Sequence, residues 1–183
     1  MVAISPIMGG AGFRFDYRDY QRDMAKLFGV KNIALMRKVV KKTTSDATRE
    51  VVKIAKDIVA DEVSDSGRLA AGLGYYEPGY LRRKSSGSTP SDAHWHEYTQ
   101  GNKFIVEWGT NVPYAPGIFF GFTVAEERVI YLAAEDRFIT IHPFSFLGIH
   151  AMDRAQAEFE SNPEKLKRIF RNNMRVMSRA WRV

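Results

Sequence analysis

The stretch VEWGTNVPYAPGIFFGFT, Val106 to Thr123, sets how the rest of the chain is read. It opens as a strand, with Phe104, Val106 and Trp108 alternating with Lys103, Ile105 and Glu107 across a pleat. Gly109 to Pro113 break that strand, and the apolar run Ile118-Phe119-Phe120 follows shortly after Tyr114. A chain that turns this sharply between aromatic-rich segments fixes a surface. No nucleophile, metal cage or phosphate loop lies in it, so the surface is read as one that binds other protein chains.

Upstream, Asp16 to Phe28 reads as a short helix stopped by Gly29. A long helix is expected from Asn32, as N-cap, to Val63. Its apolar stripe is Ile33, Met36, Val40, Thr43, Ala47, Val51, Ile54 and Ile58, spaced three or four apart. At ~1.5 Å per residue it is on the order of 45 Å long, enough to lie across a sheet. Thr43-Thr44-Ser45-Asp46 is its weakest point and a place for a bend. After Ser64 to Leu69 the chain is expected to turn into a strand through Leu73 and Tyr75. Residues 77–93, rich in Pro, Gly, Ser and Thr around Arg82-Arg83-Lys84, read as a long polar loop, flexible in the isolated protein.

His94–Tyr98 and Lys103–Trp108 form one expected hairpin around Gln100-Gly101-Asn102; Val129–Ala133 and Arg137–Ile141 form another. A helix is expected from Ser145 to Glu160. Asn162-Pro163 then starts a last helix, with proline suited to its first turn. Strands joined by short turns with helices before and after make an α+β pattern: an antiparallel sheet with a long N-terminal helix and a C-terminal helix packed on one side, plus a basic C-terminal helical arm. The implied division is a flexible lead-in at 1–12, a single domain at 13–162, and the arm at 163–183.

Composition narrows the function classes. The chain of 183 residues is 45% hydrophobic and 13% aromatic, enough for a core. It has no cysteine, which excludes disulfides, thiolate metal sites and cysteine nucleophiles. No apolar run approaches the ~20 residues of a membrane span, and the N-terminus lacks the pattern of a signal peptide, so a soluble cytoplasmic protein is expected. The net charge of +6 is concentrated in the arm, where Lys165, Lys167, Arg168, Arg171, Arg175, Arg179 and Arg182 face only Glu164. Its apolar stripe (Leu166, Ile169, Phe170, Met174, Met177, Trp181) packs in the plainest reading, while the cations are solvated or contact nucleic-acid phosphate or an acidic partner. Arg82, Arg83 and Lys84 share those alternatives.

Catalysis finds little support. His94 and His96 share a strand face, but a zinc site needs a third ligand within ~2.0–2.2 Å of the metal; exposed strand histidines are usually surface residues. No serine lies in a Gly-x-Ser-x-Gly elbow, and the glycine clusters match no phosphate-binding fingerprint. No catalytic residue, cofactor or metal is assigned.

Three ordered pieces carry a family resemblance. Val63-Ser64-Asp65-Ser66-Gly67-Arg68-Leu69 resembles the small-residue-Gly-Arg-Leu entry of the tail-completion and tail-terminator neck proteins of tailed bacteriophages. Gly109-Thr110-Asn111-Val112-Pro113-Tyr114-Ala115, with the later Gly121-Phe122-Thr123, is similar to that family's Gly-Thr-x-Val-x-Tyr-Ala segment and following Gly-Thr. His142-Pro143-Phe144 resembles the Pro-Phe element before the closing helix. Together they cover roughly residues 30 to 160. Phe119 and Phe120 stand where the family usually has an acidic residue, and Phe122 separates Gly121 from Thr123.

The resemblance implies a non-catalytic virion protein, assembled in the host cytoplasm and built into a ring, often a hexamer. That ring would sit between the head-side connector or stopper and the tail-tube protein, with DNA passing through without sequence specificity. Gly109, Thr110, Tyr114, Phe119, Phe120, Phe122, Tyr80 and Leu81 are then candidate ring or tail contacts. The loop and arm cations are candidate contacts to DNA or an acidic neighbour. No membrane is involved. The alternative function is a nucleic-acid-binding module acting through the arm.

Overall fold

A computed structural model describes residues 2–4, 10–16, 33–63, 67–82, 89–101, 103–132 and 136–179. The architecture is α+β. Strands β1 (Val2–Ile4), β2 (Gly10–Asp16), β3 (Ala93–Gln100) and β4 (Lys103–Thr110) form a four-stranded antiparallel sheet in the order β1-β2-β4-β3. β1 and the first residues of β2 fall within the lead-in expected at 1–12. β2 runs beside β4 from Gly10↔Gly109 to Asp16↔Lys103, so the start of the chain extends the sheet. The short helix expected from Asp16 to Phe28 lies outside the described residues, apart from Asp16 at the end of β2.

Helix α1, Ile33–Glu62, is continuous. The expected bend at Thr43–Asp46 does not occur, because the hydroxyls there find partners without leaving the helix. Thr44 Oγ1 donates to Val40 O, Thr48 Oγ1 to Thr44 O, and Ser45 Oγ to Glu97 Oε1 on β3. The buried face is also broader than the expected stripe. Val39, Val40, Thr48, Val51, Val52, Ala55 and Val59 are buried, whereas Ile54 and Ile58 are only half-buried. The width follows from packing on several sides. Val40 meets Phe104, Val106 and Trp95 of the sheet, and α4 (Ala151–Glu160) and α5 (Pro163–Arg179) also pack on α1. In α4 the inward side is Ala151, Ala155 and Phe159. α5 docks through Asn173, buried, whose Nδ2 donates to Asp46 Oδ2 at 2.9 Å.

The strand expected through Leu73 and Tyr75 is instead a one-turn helix, α2 (Arg68–Ala71), followed by turns. Leu69, Ala70, Ala71 and Leu73 are all buried. Consecutive burial suits a tight helical turn enclosed by its neighbours and not a strand with alternating faces.

The chain divides into two compact units. Residues 113–150 form one, and the remainder of the chain forms the other. In the smaller unit, helix α3 (Ala115–Phe120) precedes β5 (Phe122–Val124), β6 (Arg128–Leu132), β7 (Arg137–Ile141) and β8 (Phe144–Phe146). β5 pairs with β8 and β6 with β7, giving two antiparallel ribbons. The expected β6–β7 hairpin is present, but Phe144–Phe146 is a strand where a helix from Ser145 was expected, and the helix begins at Ala151.

Candidate functional site

The motif residues fall into two groups with different work. Gly67, Arg68 and Leu69 open α2. Gly67 sits at φ 79°, and a Cβ there would lie 2.0 Å from Tyr80 O, so only glycine fits. Leu69 is fully buried. Arg68 forms a two-pronged pair with Asp92, Nε to Oδ2 at 3.0 Å and Nη2 to Oδ1 at 2.8 Å. The Asp92 main chain meanwhile binds the second motif: its carbonyl accepts from Thr110 Oγ1 at 3.0 Å and from Asn111 N at 2.7 Å. Gly74 N donates to Gly109 O. Gly109 and Thr110, expected as partner contacts, therefore shape the turn after β4. Asp92, considered in the sequence only as a carboxylate near His94 and His96, joins the two motifs.

The second group lies in the 113–150 unit. Gly121 (φ 83°) and Gly148 (φ 80°) cross so closely that a Cβ on Gly121 would lie 2.1 Å from Phe146 O, and one on Gly148 2.5 Å from Gly121 N. Ile149 N donates to Ile118 O and His150 N to Phe119 O, which holds the end of the unit against α3. Phe119 is buried; as a contact candidate it is withdrawn, since one helix position separates it from Phe120, which points outward at 63% exposure. Tyr114, Phe122 and Phe144 are exposed, and Phe122 stacks edge-on with Phe144 at 5.4 Å. On the β6–β7 ribbon Tyr131 and Phe138 stand opposite each other with rings 5.0 Å apart, and Phe138 is 72% exposed. Val129 shares that face and is also exposed. The ribbon's exposed apolar residues were placed by the sequence reading only in strands.

Tyr80 and Leu81 are half-buried, and Tyr80 is engaged within the chain. Tyr80 OH donates to Asp57 Oδ1 at 2.6 Å, and Arg82 Nη2 to Ala60 O at 2.9 Å. Next to them lies Lys56, wholly buried in α1, whose ammonium donates to Tyr75 O at 2.6 Å and sits 4.0 Å from the Tyr75 ring centre. Glu77 Oε2 is 3.3 Å away. Burial pushes the Lys56 ammonium below its ordinary value, against the opposing pull of Glu77. Burial pushes the Tyr80 phenol up, with the Asp57 hydrogen bond adding to it. Residues 75–82 are thus strapped to α1 by polar bonds, while Arg83 and Lys84 lie outside the described residues.

On α5, Lys167, Arg168, Arg171 and Arg175 are exposed and Lys165 is half-buried, opposite a helix side that buries Asn173. Lys167 pairs with Glu164 at 2.7 Å. The Arg179 side chain and Arg182 are not described. His94 and His96 lie exposed on β3, and among the described residues no three His, Asp or Glu side chains gather to hold a metal. Among these residues, too, no helix is long and apolar enough to cross a membrane. No family model, curated protein or solved structure matches the chain.

Proposed function

We propose that this chain is a non-catalytic structural component of a tailed-phage neck, assembling as a ring, six-fold in the family it resembles, that completes or terminates the tail and joins it to the head around the passing DNA. The observation that carries the reading is the apolar surface of the 113–150 unit, where Phe120, Val129, Tyr131, Phe138 and Leu147 are each more than half exposed. A two-stranded ribbon is marginal alone in water, and exposed apolar surface of this kind marks a protein contact. The unit also holds Tyr114 and Gly121 of the motifs that carry the resemblance. Contacts within the assembly or to its neighbours are assigned to the ribbon, Tyr114, Phe120 and Phe122; the further partners are the tail-tube protein and the head-side connector or stopper. Native mass measurement, alone and mixed with tail-tube protein, tests this: a ring that binds the tube supports it, and a monomer that ignores the tube overturns it.

A second reading, contact with DNA phosphates through α5, is favoured by the one-sided placement of Arg168, Arg171 and Arg175. Each phosphate neutralised steepens the fall of affinity with salt. Arg168→Glu/Arg171→Glu should weaken binding to arbitrary duplex DNA and flatten its salt dependence; unchanged binding removes this reading.

A further inference from the structure

β3 forms one edge of the four-stranded sheet, and its eight residues pair one-for-one with β4, without a bulge. The closing pair, Gln100↔Lys103, brackets a two-residue connection, the hairpin geometry in which the closing pair exchanges both hydrogen bonds. Counting back in twos, Tyr98, His96 and His94 also turn their backbone groups toward β4. Trp95, Glu97 and Thr99 turn theirs outward. The N-terminal end agrees with this phase: Ala93 N, which falls in the outward set, donates to Pro90 O and not to the ladder. No described backbone group bonds to the outward N–H or C=O of Trp95, Glu97 or Thr99.

This edge lacks most of the usual protections; its one charged side chain, Glu97, is held toward α1 by Ser45 Oγ. β3 contains no proline, no lysine and no bulge, and it is longer than the ~5–6 residues typical of a strand. The sheet's other edge is β1, which among the described residues pairs only with β2. Because four strands alternate in direction, β1 and β3 run in opposite senses. The outer edge of β3 in one copy can therefore meet the outer edge of β1 in the next and continue the antiparallel alternation unbroken. A head-to-tail contact of this kind repeats, and it closes into a ring if the rotation per copy permits.

We propose that β3 is the self-association edge of this protein, adding the β1 strand of a second copy to its sheet through the backbone of Trp95, Glu97 and Thr99. The inference rests on the ring reading and names its interface. Thr99 is exposed, and its outward N–H makes no ladder bond, so Thr99→Pro removes one inter-copy donor at an edge position where proline is tolerated. Thr99→Val keeps the N–H and serves as its match.

The expected result is that wild type and T99V assemble, while T99P shifts at least tenfold toward monomer with an unchanged melting temperature. Rings that persist in folded T99P overturn the edge assignment and leave the ring reading standing. A wild type that is monomeric at every concentration defeats the ring reading itself, and the edge with it. Should T99P not fold, cross-linking decides, helped by the absence of native cysteine. Ala3→Cys/Thr99→Cys with a short bis-maleimide should give a ladder of oligomers on a denaturing gel. Dimers from T99C alone would indicate a two-fold β3–β3 contact, and no cross-link would indicate no edge contact; either overturns the proposal.

Discussion

Arg68 grips Asp92 with two nitrogens, at 3.0 and 2.8 Å, while the Asp92 side chain is only 6% exposed. The same carboxylate accepts from Thr89 N, capping the turn that leads into β3. A buried carboxylate stripped of its cation is an expensive group to leave behind. Arg68→Met should therefore cost about 3 kcal/mol, seen as a fall in the denaturant midpoint. Arg68→Lys, which keeps the charge but not the fork, should recover only part of it. A midpoint unchanged in R68M would show that the pair contributes nothing net.

Lys56 predicts a pH dependence. Its ordinary value is 10.5, and burial holds it lower in the folded chain. Between the two values the unfolded chain binds more protons, so stability rises as pH rises through that window; below the folded value both states are protonated and the penalty is constant. Above the ordinary tyrosine value of 10.0 the trend opposes this, because Tyr75 and Tyr80 are held higher in the folded chain, which then binds more protons. Lys56→Met should abolish this rise, measured as the difference between wild-type and mutant urea unfolding. An identical pH slope in both would remove Lys56 as its source.

Gly148→Ala tests the crossing of Gly121 and Gly148. At φ 80° the new side chain costs on the order of 1–2 kcal/mol in backbone strain alone, before any clash with Phe119 O at 2.6 Å. The amides of Ile149 and His150, which donate to Ile118 O and Phe119 O, should exchange with solvent at least tenfold faster. Amides of β4 should keep wild-type rates. Unaltered exchange at both sites would mean that the crossing is not tight.

Phe138→Asp places a charge on the exposed face of the β6–β7 ribbon. If that face meets a partner, assembly should weaken at least tenfold while the thermal midpoint of the larger unit, residues 1–112 and 151–183, stays within about 2 °C of wild type. Undiminished assembly would take the ribbon out of the interface. Loss of the cross-strand ring pair with Tyr131 accounts for about 0.2–1 kcal/mol within the ribbon and is the background against which the effect is read.

Regular periodicity was legible wherever one face is buried and the other wet. The existence of the long helix α1 and the β3–β4 hairpin follow from it, while the start of the last helix follows from Asn162-Pro163. Enclosed segments broke the rule. Leu69, Ala70, Ala71 and Leu73 are apolar on all sides, and alternation through Leu73 and Tyr75 imitates a strand where a single helical turn stands. Phe144-Ser145-Phe146 is too short to carry a period, and the start of the closing helix was misplaced by it. The buried polar residues were hidden for a different reason. Lys56, Asp92 and Asn173 look like surface residues in sequence, and only partners 21, 24 and 127 positions away make their burial tolerable. Nor could composition separate buried Phe119 from exposed Phe120, since helix geometry alone sends adjacent side chains in different directions.

The smaller unit leaves the rest of the chain after Val112 and hands it back at Ala151, both of them buried core residues of the larger unit. Topologically it is a cassette, inserted between a strand and a helix that would otherwise be consecutive. Residues 113–150 can therefore be altered without changing any residue of the Arg68–Asp92 pair or of the long helix, all of which belong to the larger unit.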